Sequence, residues 1–219
     1  MNIGSRRWLY GCLWGLVACK GELEVLEFSS VYAEIDPLIP NVAQMSWETN
    51  QASLDRVSVL DEDGMVLRST SWSSDAEDSH QVGVVGLESD SVVFLRPEAR
   101  DSTGRISTGD LVELVVSPLP VDFPAVVISG DSTLDDGLIL THILSSSENL
   151  VVIFDREGQP VWYVVPESSD RILSVSLAGD GRSIWYAQHP TNYVDTSGVV
   201  THMALDGSFH RTYPIERVH

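Results

Sequence analysis

The sequence predicts an all-β chain: a β-sandwich followed by an incomplete β-propeller of about one to two blades. Two observations carry this expectation. Short β-branched and aromatic runs alternate with polar turns along most of the chain, and helical periodicity is almost absent. In the last third a hairpin pattern recurs: LVVIFDREGQPVWYVV turns at Asp155 to Gly158, ILSVSLAGDGRSIWYAQ at Gly179-Asp180-Gly181, and VVTHMALDGSFHRTY at Asp206-Gly207. Repeated small sheets that bury their faces only against one another read as propeller blades, and a propeller closes with roughly four to eight of them.

Residues 1–19 read as a targeting segment and are set apart from the fold. Arg6 and Arg7 form a positive flank, Trp8 to Val17 an apolar stretch, and Leu16-Val17-Ala18-Cys19 a small-residue end. That tetrad resembles the lipobox of bacterial lipoproteins. The resemblance implies cleavage before Cys19 and lipidation of its thiol, with Lys20 next in line pointing to an outer-membrane destination facing the periplasm or the cell surface. The competing readings are an ordinary secretory signal cut elsewhere and a short hydrophobic anchor. The apolar stretch is shorter than the roughly 20 residues of a membrane span, so the expected partner is a membrane reached through the lipid. Cys12 and Cys19 are the only cysteines. A mature chain beginning at Cys19 has no disulfide and no thiolate metal site. A net charge of −19, from 13 basic and 32 acidic side chains, argues against nucleic acid as a partner.

Residues 20–118 form the expected sandwich. Its β runs are Val42 to Trp47, Arg56 to Leu60, Gly64 to Ser69, Gln81 to Val85, Val92 to Ala99 and Leu111 to Val116. The acidic stretch Asp61-Glu62-Asp63-Gly64 lacks the ligand spacing of a calcium loop and reads as a hairpin turn. No metal or cofactor site is expected. With MSWET at Met45 to Thr49, a Gly86-Leu87 corner and Phe94 on the penultimate strand, this part resembles a fibronectin type III domain. The resemblance makes Trp47, Leu87 and Phe94 its landmarks and implies a spacer or binding module, with Trp47 a core anchor. Residues 119–124, with Pro118, Pro120 and Pro124 in and beside them, make a stiff linker.

Residues 125–219 form the partial propeller. One blade is expected from Ala125 to Ser129, Gly137 to Ile143, Asn149 to Asp155 and Gln159 to Val165. A second is expected from Arg171 to Leu177, Ser183 to His189, Val199 to Leu205 and Ser208 to Pro214. The order of parts, with Ile153-Phe154-Asp155-Arg156-Glu157-Gly158-Gln159-Pro160-Val161-Trp162 and Leu205-Asp206-Gly207, resembles bacterial periplasmic arylsulfotransferases. The resemblance implies sulfuryl transfer from a phenolic sulfate to a phenol through a sulfohistidine, with no cofactor. Neutral imidazole is a competent nucleophile, and nearby cations would stabilise the sulfate oxygens and the developing phenolate.

No position maps onto the family's nucleophile. Val218-His219 looks like the start of its His-Asp motif, so His219 and then His189, beside Pro190, are the nearest candidates. His80 reads as a solvated loop residue, and His142 and His202 as strand residues facing either a channel or a blade interface. His210 and Arg211 should face water. The expectation is an exported arylsulfotransferase-like lipoprotein whose catalytic blades are missing from this chain. The alternative is a noncatalytic cell-surface lipoprotein whose sandwich binds carbohydrate or protein.

Overall fold

In a computed structural model, residues 25–127, 137–144, 149–166, 170–190 and 198–215 are described. They are all-β, with fourteen strands and no helix. The strands are β1 Phe28–Ile35, β2 Ala43–Leu60, β3 Val66–Ser69, β4 Glu77–Val84, β5 Val92–Arg100, β6 Ile106–Thr108 and β7 Val112–Val115. They continue as β8 Ile139–Leu144, β9 Asn149–Phe154, β10 Pro160–Val164, β11 Arg171–Leu177, β12 Ser183–His189, β13 Gly198–Ala204 and β14 His210–Ile215.

β1 to β7 make one curled sheet, because β2 is 18 residues long and serves two sets of neighbours. Its first half pairs with β1 and β4, and its second half with β3 and β5; β5 continues to β6 and β7. The sequence reading split this strand in two, at the polar stretch Asn50 to Asp55. That stretch marks the bend, where the register to β4 slips between Glu48 and Ser53. Folding the sheet over encloses Met45, Trp47, Val57, Val59, Leu87, Val93 and Leu95. Trp47 is 1% exposed and anchors this core, as its sequence context suggested. Phe94 does not join it. Strand alternation gives the inward positions of β5 to Val93 and Leu95, leaving Phe94 half-buried.

The recurrent hairpins are present. β9 pairs with β10, β11 with β12 and β13 with β14, all antiparallel. In the first, Asp155 Oδ1 accepts the backbone N–H groups of Glu157 and Gln159 at 3.0 and 2.7 Å, and Gly158 closes the turn at φ +81°, a region glycine adopts without strain. β11 to β14 form a four-stranded sheet in sequence order, matching the second expected group. The first group is a three-stranded sheet, β10-β9-β8. Ala125 to Val127, read as its outer strand, carry no strand; positions 128–136 lie outside the described residues. The segment instead packs on the sheet: Val126 joins Phe123 and Leu119 against Val152, Phe154 and Tyr163.

The two distal sheets face each other around Val151, Ile153, Trp162, Ile172, Ile184 and Met203, and the centre of that core is filled from elsewhere. Ile39 and Val42, both 0% exposed, come from the β1–β2 loop of the curled sheet. Asp36 shapes this plug: its Oδ1 accepts from Leu38 N at 2.9 Å and Ile39 N at 3.0 Å, while its own N–H donates to Val42 O at 2.8 Å. Beside the plug, Asn41 Oδ1 accepts the Tyr163 N–H at 3.3 Å, satisfying a donor of β10. The β13–β14 turn docks onto the curled sheet as well. Gln44 Nε2 donates to Asp206 O, and a Cβ on Gly83 would lie 2.6 Å from the Asp206 Cβ. Trp162 Nε1 then donates to Leu205 O at 2.8 Å, tying β10 to the same turn.

Candidate functional site

His80 is the first chemically notable side chain, and it is not the solvated loop residue that the sequence suggested. It lies on β4, 3% exposed, with its ring stacked on Trp47 at 5.0 Å between centroids. The burial follows from register: His80 sits opposite Trp47 on the inward face. Nδ1 lies 3.0 Å from Asp55 Oδ2, and Nε2 lies 3.0 Å from Thr49 Oγ1 and 3.3 Å from Ser53 Oγ. An Asp, a His and a Ser in hydrogen-bonded sequence have the composition of a nucleophilic triad. Ser53 is only 1% exposed, so a substrate carbonyl has no approach to its hydroxyl. The cluster therefore satisfies the polar groups at the bend of β2.

A second histidine cluster lies on the face of β11–β14 turned away from the distal core. Trp185 and His202 are cross-strand partners whose rings stack 3.9 Å apart and 5° from parallel. Phe209 meets His202 edge-on at 4.7 Å, and Tyr213 lies 6.1 Å from Trp185. His202 Nε2 is 2.9 Å from Ser183 Oγ, which donates to the Asp180 carboxylate at 3.0–3.1 Å. The Arg182 N–H, the Ser183 bonds and His202 together outweigh partial desolvation and hold the Asp180 carboxyl below its ordinary range. Arg211 lies across from His202 on β14. With one ring face on Trp185 and an edge contact from Phe209, His202 is held as a packing element of an aromatic ladder.

Of the nominated catalytic residues, only His189 lies among the described residues. His189 ends β12, half-buried, with Nδ1 2.9 Å from the carbonyl of Pro190. His219 and the lipidation candidate Cys19 lie outside the described residues. His142 shares its face of β8 with Leu140, toward the distal core, and His210 is exposed on β14 as expected. Sequence reasoning missed the His80 cluster. Thr49, Ser53, Asp55 and His80 all lie in one stretch, but only the bend of β2 and the pairing with β4 bring them together. The chain matches no family model, no curated protein and no solved structure.

Proposed function

We propose that this protein is an exported, lipid-anchored envelope protein of arylsulfotransferase-like architecture, whose described residues comprise a supporting sandwich and two blades of a propeller. In this reading the curled sheet is a fibronectin type III-like sandwich, and β8–β10 and β11–β14 are neighbouring blades.

One observation carries the reading: a sheet order of β1-β2-β4 beside β3-β2-β5-β7, followed by two antiparallel sheets packed face to face with β8 next to β11. That is the order of parts the sequence resemblance implies, with first strands adjacent as in blades set around an axis. Phe94, turned from the core, departs from the sandwich pattern. The sulfuryl transfer is assigned to a closed propeller: His80 is buried, His189 bonds its neighbour's carbonyl, and His202 is held in a ladder. Attachment is assigned to lipid on Cys19, which ends the lipobox-like tetrad Leu16-Val17-Ala18-Cys19.

The test is release of p-nitrophenolate from p-nitrophenyl sulfate with a phenol acceptor, comparing the 219-residue chain with any longer product of the same locus. Turnover by the longer product alone sustains the reading. Turnover by the short chain overturns the requirement for further blades, and turnover by neither replaces the enzyme with a noncatalytic surface lipoprotein. Separately, Cys19→Ser should move the protein from the membrane fraction to the soluble one; retention in the membrane would sink the lipid anchor.

A further inference from the structure

The basic side chains among the described residues are nine arginines, with no lysine. Three of them meet on the outer face of the curled sheet, because β2 and β5 pair Arg56 with Glu98, Ser58 with Arg96 and Leu54 with Arg100. Strand alternation turns these positions away from the core that Val57, Val59 and Leu95 fill. Trp72 lies against the group, its ring centroid 4.5 Å from the Arg56 guanidinium and 4.7 Å from that of Arg100. The segment carrying Trp72 is fastened to β2 on both sides. Thr70 N donates to Val57 O and Thr70 Oγ1 accepts from Val57 N, both at 2.9 Å; Ser73 N and Oγ make the same pair of bonds to Asp55.

Carboxylates do not balance this group. Glu98, 4% exposed, serves two arginines at once: Oε2 accepts from Arg56 Nε at 2.8 Å, and Oε1 accepts from Ser58 Oγ at 2.5 Å with Arg96 at 3.6 Å. Arg100 forms no ion pair with any described residue, and its contact is the indole of Trp72. The other acids nearby are engaged or stand apart. Asp55 faces His80, Asp75 accepts from Ser74 Oγ at 2.8 Å, Glu113 sits opposite Phe94, and Glu77 and Asp78 open β4 in the other half of the sheet. Two guanidiniums set around one ring repel each other, and an anion between them relieves that repulsion.

We propose that Arg56, Arg100 and Trp72 bind a tetrahedral oxyanion group, a phosphate or a sulfate, either free or as the ester of a small molecule. Each guanidinium is a planar fork of donors; Arg56 spends one edge on Glu98, and Arg100 has its donors to offer. A carboxylate has two oxygens, which suit one fork, whereas a phosphate or sulfate ester exposes three and can bridge two. Trp72 holds both forks in place before a ligand arrives, so binding orders little that is not already ordered. The net charge of −19 belongs to the whole chain, and exposed charges farther than about 8 Å are largely screened at physiological salt. The local surplus of cations therefore decides. This inference uses only the curled sheet and stands apart from the propeller reading.

The experiment is an amide-shift titration of the isotopically labelled protein with sodium phosphate, sodium sulfate and glycerol 3-phosphate, with sodium acetate as the carboxylate control, all at one pH and one ionic strength. The expected result is saturable shifts confined to β2, β5 and the Trp72 segment with at least one tetrahedral anion. Binding of glycerol 3-phosphate as tight as that of phosphate, or tighter, marks an esterified group as the ligand, and a preference for the inorganic ions marks a free one; both sustain the proposal. Arg100→Gln removes a charge that has no ion-pair partner among the described residues, so it should weaken binding about tenfold without moving the urea midpoint. Arg211→Gln makes the same change of charge on β14 and should leave the affinity unchanged. The proposal is overturned by no saturable shift with any of the three anions, by shifts mapping elsewhere, by acetate binding as tightly, or by equal affinities in the Arg100→Gln and Arg211→Gln variants.

Discussion

The curled sheet buries Trp47 among residues supplied by its own strands, whereas the distal sheets bury Ile39 and Val42, which belong to the curled sheet. Both regions are all-β and both are built from hairpins. They differ in who owns the centre of the core. A strand pattern therefore reports where sheets form, and says little about whether a sheet can stand without its neighbour.

Physical separation is the hardest test of that asymmetry. Residues 25–118 expressed alone should unfold in one cooperative urea transition, and residues 119–219 alone should be insoluble or lack one. A soluble, cooperatively unfolding distal fragment would break the comparison. Truncations inside the intact chain come next. Trp47→Ala should cost about 3–5 kcal/mol and Ile39→Ala about 2–5 kcal/mol. The informative reading is where the damage falls: amide exchange should accelerate in β9, β12 and β13 for Ile39→Ala while β5 stays protected. Equal loss of protection in β5 would mean that the plug belongs to both cores.

Gly207 probes the contact from the other side. It sits at φ +78°, and an added Cβ would collide with Asp36 Oδ2, the carboxylate that shapes the plug loop. Gly207→Ala should destabilise by about 1–3 kcal/mol. A double variant with Asp36→Ala should show a cost well below the sum, and strict additivity would remove this contact from the account. The smallest effect belongs to the curled sheet alone. Burial of Glu98 acts to raise its pKa, but hydrogen bonds from Ser58 at 2.5 Å and Arg56 at 2.8 Å, with the charges of Arg56 and Arg96, outweigh it and hold the carboxyl below its ordinary 4.5. A depressed folded value contributes stability that is complete above pH 4.5 and lost as pH falls through the folded value. Glu98→Gln should therefore cost about 1 kcal/mol at neutral pH, a difference that shrinks below pH 4.5. A gap in urea midpoints that stays constant into acid would exclude this origin.

How much of this was legible follows from the range of the forces involved. The hairpins of the last third were readable because their turns are local: Asp155, Asp180 and Asp206 each accept the backbone amide two residues ahead, and Gly158, Gly181 and Gly207 take the left-handed position. Trp47 was readable as a core residue from its size and setting. The continuity of β2 through Asn50 to Asp55 was not, because that stretch is polar for the sake of a bend. Nor was the plug: Asp36 to Val42, with Pro37 and Pro40, looks like a connection, and its value comes from partners more than a hundred positions away, such as Tyr163. The same holds for His80, whose surroundings are created by pairing and not by its sequence neighbours.

The position of the plug in the chain also sets an order of events. A chain that emerges amino end first, whether from the ribosome or across a membrane, presents Ile39 and Val42, in a loop that Asp36 can shape, before Val151 or Met203. The emerging hairpins meet a finished template, and their apolar faces need not wait for one another. The same residues joined in the reverse order would send β9 to β13 out first, with nothing made yet to receive them.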